Sequence, residues 1–153
     1  MSMDRWLLVT LWILLPGSVL LLVPRRKLRT FIMACFATHI LVWIKVTLLV
    51  HFKIVTFPLR EFPIASDLSF TMPNVVYPVL TGYYILWKPE RMRMAGIVTL
   101  VVCSGIFASL HLLLDSFTRL IDLTARYYWF ADWVSFIVIL FAVNRFMSWF
   151  QAK

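Results

Sequence analysis

Charge is scarce in this chain. Only 14% of its 153 residues are charged, seven acidic against fifteen basic. Soluble domains carry roughly 25% charged residues, so this composition cannot furnish an ordinary water-facing surface. Cysteine is scarcer still, at two. Cys35 and Cys103 both fall inside apolar runs without CxxC spacing; they are silent on redox compartment, and a zinc site needs about four ligands at tighter spacing. The signatures of common catalysis are missing too: there is no HExxH, GxSxG or GxxxxGK[ST], and no paired carboxylate within an apolar run. No Gly/Ser linker, internal repeat or stretch of soluble-domain composition interrupts the chain.

Apolar side chains are what remain, at 62% of residues with a mean hydropathy of +0.88. A soluble protein this small has too high a surface-to-volume ratio to bury so much. Lipid is therefore the expected solvent. The net charge of +8 would suggest nucleic acid in a soluble protein, but the basic residues here flank apolar runs, where they orient membrane segments. No nucleic-acid partner is expected.

A helix needs about 20 mainly apolar residues to cross a hydrocarbon core roughly 30 Å thick. Five segments meet that test, over residues 6–23, 31–52, 68–87, 94–114 and 133–150. The first imitates a signal peptide, yet no small-x-small cleavage site follows it, and Pro24-Arg25-Arg26-Lys27 reads as a stop-transfer flank. It is read as a retained span. With five spans the hinges alternate between two sides. Nine Lys/Arg fall on one side (Arg25, Arg26, Lys27, Arg29, Lys88, Arg91, Arg93, Arg145, Lys153) and five on the other (Arg5, Lys53, Arg60, Arg119, Arg126). Glu90 alone among the acids joins the basic side. The Lys/Arg bias sets orientation, so the N-terminus is expected outside and the C-terminus in the cytoplasm. Trp6, Trp129 and Trp133 mark the outer interface and Trp87 and Trp149 the inner one, where amphipathic rings settle.

Prolines shape two of the spans. Pro16-Gly17 predicts a kink in the first. In the third, Pro73 fits a first turn, whereas Pro78 removes a backbone donor further in and predicts a bend near Tyr77. Carbonyls freed in lipid need other partners, so the bend should face neighbouring helices. Beyond Leu114 the spacing of Phe117, Leu120, Ile121 and Thr124 predicts that the fourth helix continues out of the membrane, with Asp115, Arg119, Asp122 and Arg126 as a charge ladder on its other face. Asp132 reads as the N-cap of the last span.

Three ionisable groups lie within or near spans: His39, Lys45 and His111. Intramembrane ionisable residues are functional candidates because burying them is costly. Lys45 reads as mid-span, beyond easy snorkelling, with His39 six residues earlier on a different face. Either lines a pore or relay, or makes an interhelical hydrogen bond. His111 is expected to bond Asp115 at i, i+4. At the outer end Arg60, between two prolines and beside Glu61, has the planar fork that suits carboxylate or phosphate; its local alternative is an ion pair with Glu61 or Asp67. Together with Asp115, Arg119, Asp122, Arg126 and Trp129 it forms either a solvated surface or the rim of an outward pocket. No metal ligands and no cofactor are expected.

From about Phe57 onward the chain carries Phe57-Pro58-Leu59-Arg60-Glu61-Phe62, then Ser69-Phe70, Tyr77-Pro78, Thr118-Arg119-Leu120-Ile121, an aromatic run through Trp133, and Arg145 with Trp149-Phe150. In these it resembles a family of small multi-pass membrane proteins, mostly of endospore-forming bacteria, that has no assigned activity. That pattern has an acid seven residues before the Thr, where His111 stands here. The resemblance implies a bacterial inner membrane and five spans, and adds no reaction. The expectation is an all-α five-helix transmembrane bundle, N-out and C-in, with its third helix bent at proline. Its partners would be membrane lipids, and copies of itself or another membrane protein. It is read as a structural, interaction or lipid-binding component, the alternatives being a small transporter or channel subunit and a lipid-modifying enzyme.

Overall fold

The computed structural model describes residues 3–58, 67–89, 93–123 and 129–152. Helix α1 (Met3–Leu22) is followed by a 3-10 turn (Arg25–Lys27) and α2 (Leu28–His51). A short strand β1 (Val55–Thr56) comes next, then a π-helical segment (Met72–Val76) that runs into α3 (Tyr77–Trp87). Helix α4 (Arg93–Phe117), strand β2 (Asp122–Leu123) and α5 (Trp129–Gln151) complete the order.

Four helices are long and apolar enough to cross a bilayer, over Arg5–Leu22, Arg25–His51, Met94–Phe117 and Trp129–Gln151. The chain is a multi-pass membrane protein. Its exterior carries the sign of a lipid solvent: Leu20 and Leu21 are each 85% exposed, and Phe36, Ile40, Phe117 and Val138 also face outward. Contiguous apolar surface of this extent is not sustained in water.

Helix α2 packs chiefly on α3, α4 on α5, and α2 against α5 joins the two pairs. The stripe that does this in α2 is Phe31, Ala34, Thr38, Val42 and Val46, all buried and spaced three or four apart, so they share one helical face. In α5 the matching stripe runs from Asp132 through Phe136, Ile139, Leu140 and Val143 to Met147. Gly82 admits the Phe31 ring so closely that a methyl group there would overlap it. Helix α1 is the outlier. It continues through Pro16 and touches the rest mainly at the π-helical segment, where Trp12 Nε1–H donates to Thr71 Oγ1 at 2.9 Å.

Local chemistry sets the ends. Pro24 stops α1, since its ring pushes the preceding residue out of the α region, and its carbonyl accepts the Lys27 N–H at 2.8 Å. At the close of α2, Lys53 takes φ +54, Lys53 N–H donates to Val50 O, and Ile54 N–H to Leu49 O, both at 2.9 Å. That pair of bonds is a Schellman turn, with lysine where glycine is usual. It directs the chain into β1, which pairs antiparallel with β2 through Val55 and Leu123, and Thr56 and Asp122. The C-terminal ends of α2 and α4 are thereby tied at one end of the bundle, the strand end.

Two expectations need correction. The third apolar segment does not begin as a helix at residue 68: the chain bends over 67–70 and the helical run extends from Thr71 to Trp87. Nor does α4 continue beyond Phe117. Thr118 Oγ1 donates to Leu114 O at 2.6 Å and accepts the Leu120 N–H at 3.2 Å, which turns the chain. Leu120 and Ile121 are buried, as their apolar character demands, but by a turn and a strand rather than by a helix. Among the described residues Asp115, Arg119 and Asp122 therefore do not share one helix face.

Candidate functional site

Lys45, six residues before the end of α2, lies about 9 Å from that end at 1.5 Å per residue, between mid-helix and the strand end. Its Nζ meets Asp132 Oδ1 at 2.5 Å. The second carboxylate oxygen, Oδ2, lies 2.7 Å from His111 Nδ1. One side chain from each of α2, α4 and α5 thus converges on a single point. Asp132 is 1% exposed and His111 5%. An imidazole nitrogen facing a carboxylate this closely carries its proton, so Nδ1–H is the donor.

Aromatic rings enclose the cluster. Lys45 Nζ stands 3.5 Å from the Phe136 ring centroid, a cation–π contact away from water. His111 meets the Tyr77 and Phe136 rings edge-on at centroid distances of 5.2 and 5.5 Å, and Phe107 closes on Phe136 at 5.4 Å. An ion pair in such a site is strong only because both ions are fully partnered. The His111–Asp132 dyad is also the base-and-orienter half of a nucleophilic site. Among the described residues, however, no hydroxyl or thiol bonds His111 Nε2.

His39 serves elsewhere. The Tyr77 N–H reaches back five residues to Met72 O, so it is not spent on Pro73 O. The next residue in the π pattern is Pro78, which has no N–H. The Pro73 carbonyl is thereby stranded, and His39 Nδ1 lies 3.4 Å from it. Cys35 Sγ donates to Pro78 O at 3.3 Å. Helix α2 thus bonds the carbonyls of both prolines, and at Pro73 replaces a donor that the chain lacks.

His111 does not pair with Asp115; Asp115 Oδ1 instead accepts the Leu123 N–H at 2.9 Å and holds β2 to the end of α4. Asp132 is not an N-cap but lies inside α5, which starts at Trp129. Among the described residues no ion pair joins Asp115, Arg119 and Asp122, and Arg119 and Asp122 are exposed. Trp129 donates to Ser109 Oγ at 3.3 Å and stacks on Trp133 at 5.2 Å. Asp67 is exposed. Arg60, Glu61 and Arg126 lie outside the described residues.

Asp132 is the residue that sequence reasoning misplaced. Two signals pointed to it. Lys45 inside an apolar run calls for a counter-ion, and Asp132 heads a helical stripe continued by Phe136, Ile139, Val143 and Met147. Among the described residues no three of His, Cys, Asp and Glu converge as metal ligands. No family model, curated protein or solved structure matches this chain.

Proposed function

We propose that the chain is a non-catalytic structural or interaction component of a bacterial inner membrane, in contact with lipids and with copies of itself or another membrane protein. In this reading α3 and its π-helical lead-in form a fifth span, bent at its prolines. The strand end faces outward and the C-terminus lies in the cytoplasm. The gathering of Arg29, Lys88 and Arg145 at the opposite end supports that orientation, through the Arg29 guanidinium over the Phe150 ring at 5.2 Å and the Lys88–Asn144 bond. The family resemblance from Phe57 onward points to the same membrane.

One observation carries the functional reading: the buried charges meet one another. Lys45 and His111 each bond one oxygen of the Asp132 carboxylate inside a shell of rings, which holds three helices together. A transport path needs a group that exchanges partners. A transporter or channel subunit is the second reading, favoured by the π-helical segment, because π turns recur at functional sites. Reconstitution separates the two. In proteoliposomes, Lys45→Ala should leave proton leak and ion flux at the wild-type level while lowering the thermal midpoint. A wild-type flux that disappears with Lys45→Ala would sink the structural reading and select the second.

A further inference from the structure

The basic end of the bundle holds a groove of about 750 Å³ between the end of α3, the start of α4 and the end of α5. Its volume lies in the range of small-molecule sites, about 300–1,000 Å³. Lys88, Asn144 and Arg145 supply its polar side. The Lys88 ammonium donates to Asn144 Oδ1, which draws the cation across from α3 to α5 and leaves the Asn144 amide N–H groups as donors. Arg145 is exposed and has no ion pair among the described residues. No acid is among the groove's described lining residues. Arg145 and the Asn144 amide, with the Lys88 ammonium held beside them, place donors around one opening that suits an anion.

The other wall decides what kind of anion. Ile97, Leu100 and Phe141 line it, and Ile97 and Phe141 are 58% and 56% exposed on the apolar exterior. A ligand seated here therefore has its charged part against Lys88 and Arg145 and an apolar part running out along the bundle. Guanidinium forks match phosphate oxygens in pairs, whereas an ammonium acts as a point charge. We propose that this groove binds the phosphate headgroup of an anionic phospholipid, with an acyl chain along Ile97 and Phe141. The inference rests on the membrane reading above and names the lipid class that this end recognises.

A thermal-shift titration of the purified chain in neutral detergent tests it, with phosphatidylglycerol, phosphatidylcholine and inorganic phosphate as probes. Phosphatidylglycerol should raise the midpoint saturably and phosphatidylcholine should not. Arg145→Gln should weaken the apparent affinity for phosphatidylglycerol about five- to tenfold, with Arg145→Lys in between because it keeps charge and loses the fork. A second variant does not touch charge. A Cβ on Gly96, which lines the groove, meets only Pro89 O at 3.7 Å, so Gly96→Leu should fold, fill the groove and abolish the response. If inorganic phosphate alone reproduces a saturable shift that depends on Arg145, the phosphate chemistry stands and its source is soluble. An unchanged response in both variants, an equal response to phosphatidylcholine, or no response at all would overturn the proposal. Such a failure leaves the Lys45 flux result untouched, so the two readings fail separately.

Discussion

An ammonium and a carboxylate taken out of water each lose several kcal/mol of hydration, and Lys45 and Asp132 recover it only together. Removing one leaves the other buried and uncompensated, at a cost of roughly 3–5 kcal/mol. Replacing both with apolar side chains of similar size removes the penalty with the attraction. Asp132→Leu should therefore lower the unfolding midpoint in micelles sharply, whereas Lys45→Met combined with Asp132→Leu should regain most of the loss. Additive losses in the double variant would mean that the contact at 2.5 Å does not couple the two. At this scale the sequence was half readable. Lys45 and His111 stand out because ionisable groups are rare in apolar runs. Asp132 did not, because Tyr127-Tyr128-Trp129-Phe130 before it resembles an interfacial turn, and an acid at a helix start reads as a cap. Only the partner identifies the role, and that partner is 87 residues away.

Among the elements, the π-helical segment shows how prolines are carried without an exposed carbonyl. Pro73 O has lost the donors of Tyr77 and Pro78, and His39 supplies one from α2. An unmet buried acceptor costs about 1–3 kcal/mol, so His39→Leu should destabilise the chain by that amount. Restoring an N–H at position 78 lets α3 satisfy its own carbonyls. In a Pro78→Ala background His39→Leu should therefore cost much less, a coupling that a double-mutant cycle on unfolding midpoints reads directly. Equal costs in both backgrounds would assign His39 to packing alone. The prolines were legible and their remedy was not, since the donor comes from another helix. The error at α4 has a different cause. Phe117, Leu120 and Ile121 have helical spacing, but Thr118 competes for the Leu114 carbonyl and ends the helix. Burial of Leu120 and Ile121 satisfies the apolar pattern by either route.

Across the whole molecule, hydropathy located the four helices long enough to span to within a few residues at most ends, because length and apolar content alone specify them. The third apolar segment is the shortest of the five, at 17 helical residues from Thr71 to Trp87. That is about 25 Å at 1.5 Å per residue against a core of roughly 30 Å. Orientation is open to direct measurement. In intact cells a cysteine at Asp122, on β2, should react with an impermeant thiol reagent, and one at Arg26 should stay protected until the membrane is opened. The reverse pattern would invert the proposed bundle.

The meeting of Lys45 with Asp132 also has a consequence for how the chain is made. The two residues lie 87 positions apart, and at about 5–20 residues per second a ribosome takes on the order of 4–17 s to travel between them. Throughout that interval α2 has been synthesised and its lysine lacks the Asp132 carboxylate. Until α5 arrives the ammonium must reach water or a headgroup, which its place about 9 Å from the end of α2 permits. A transcript truncated before α5 would leave the lysine without its carboxylate, and quality-control proteases would meet an unfinished bundle.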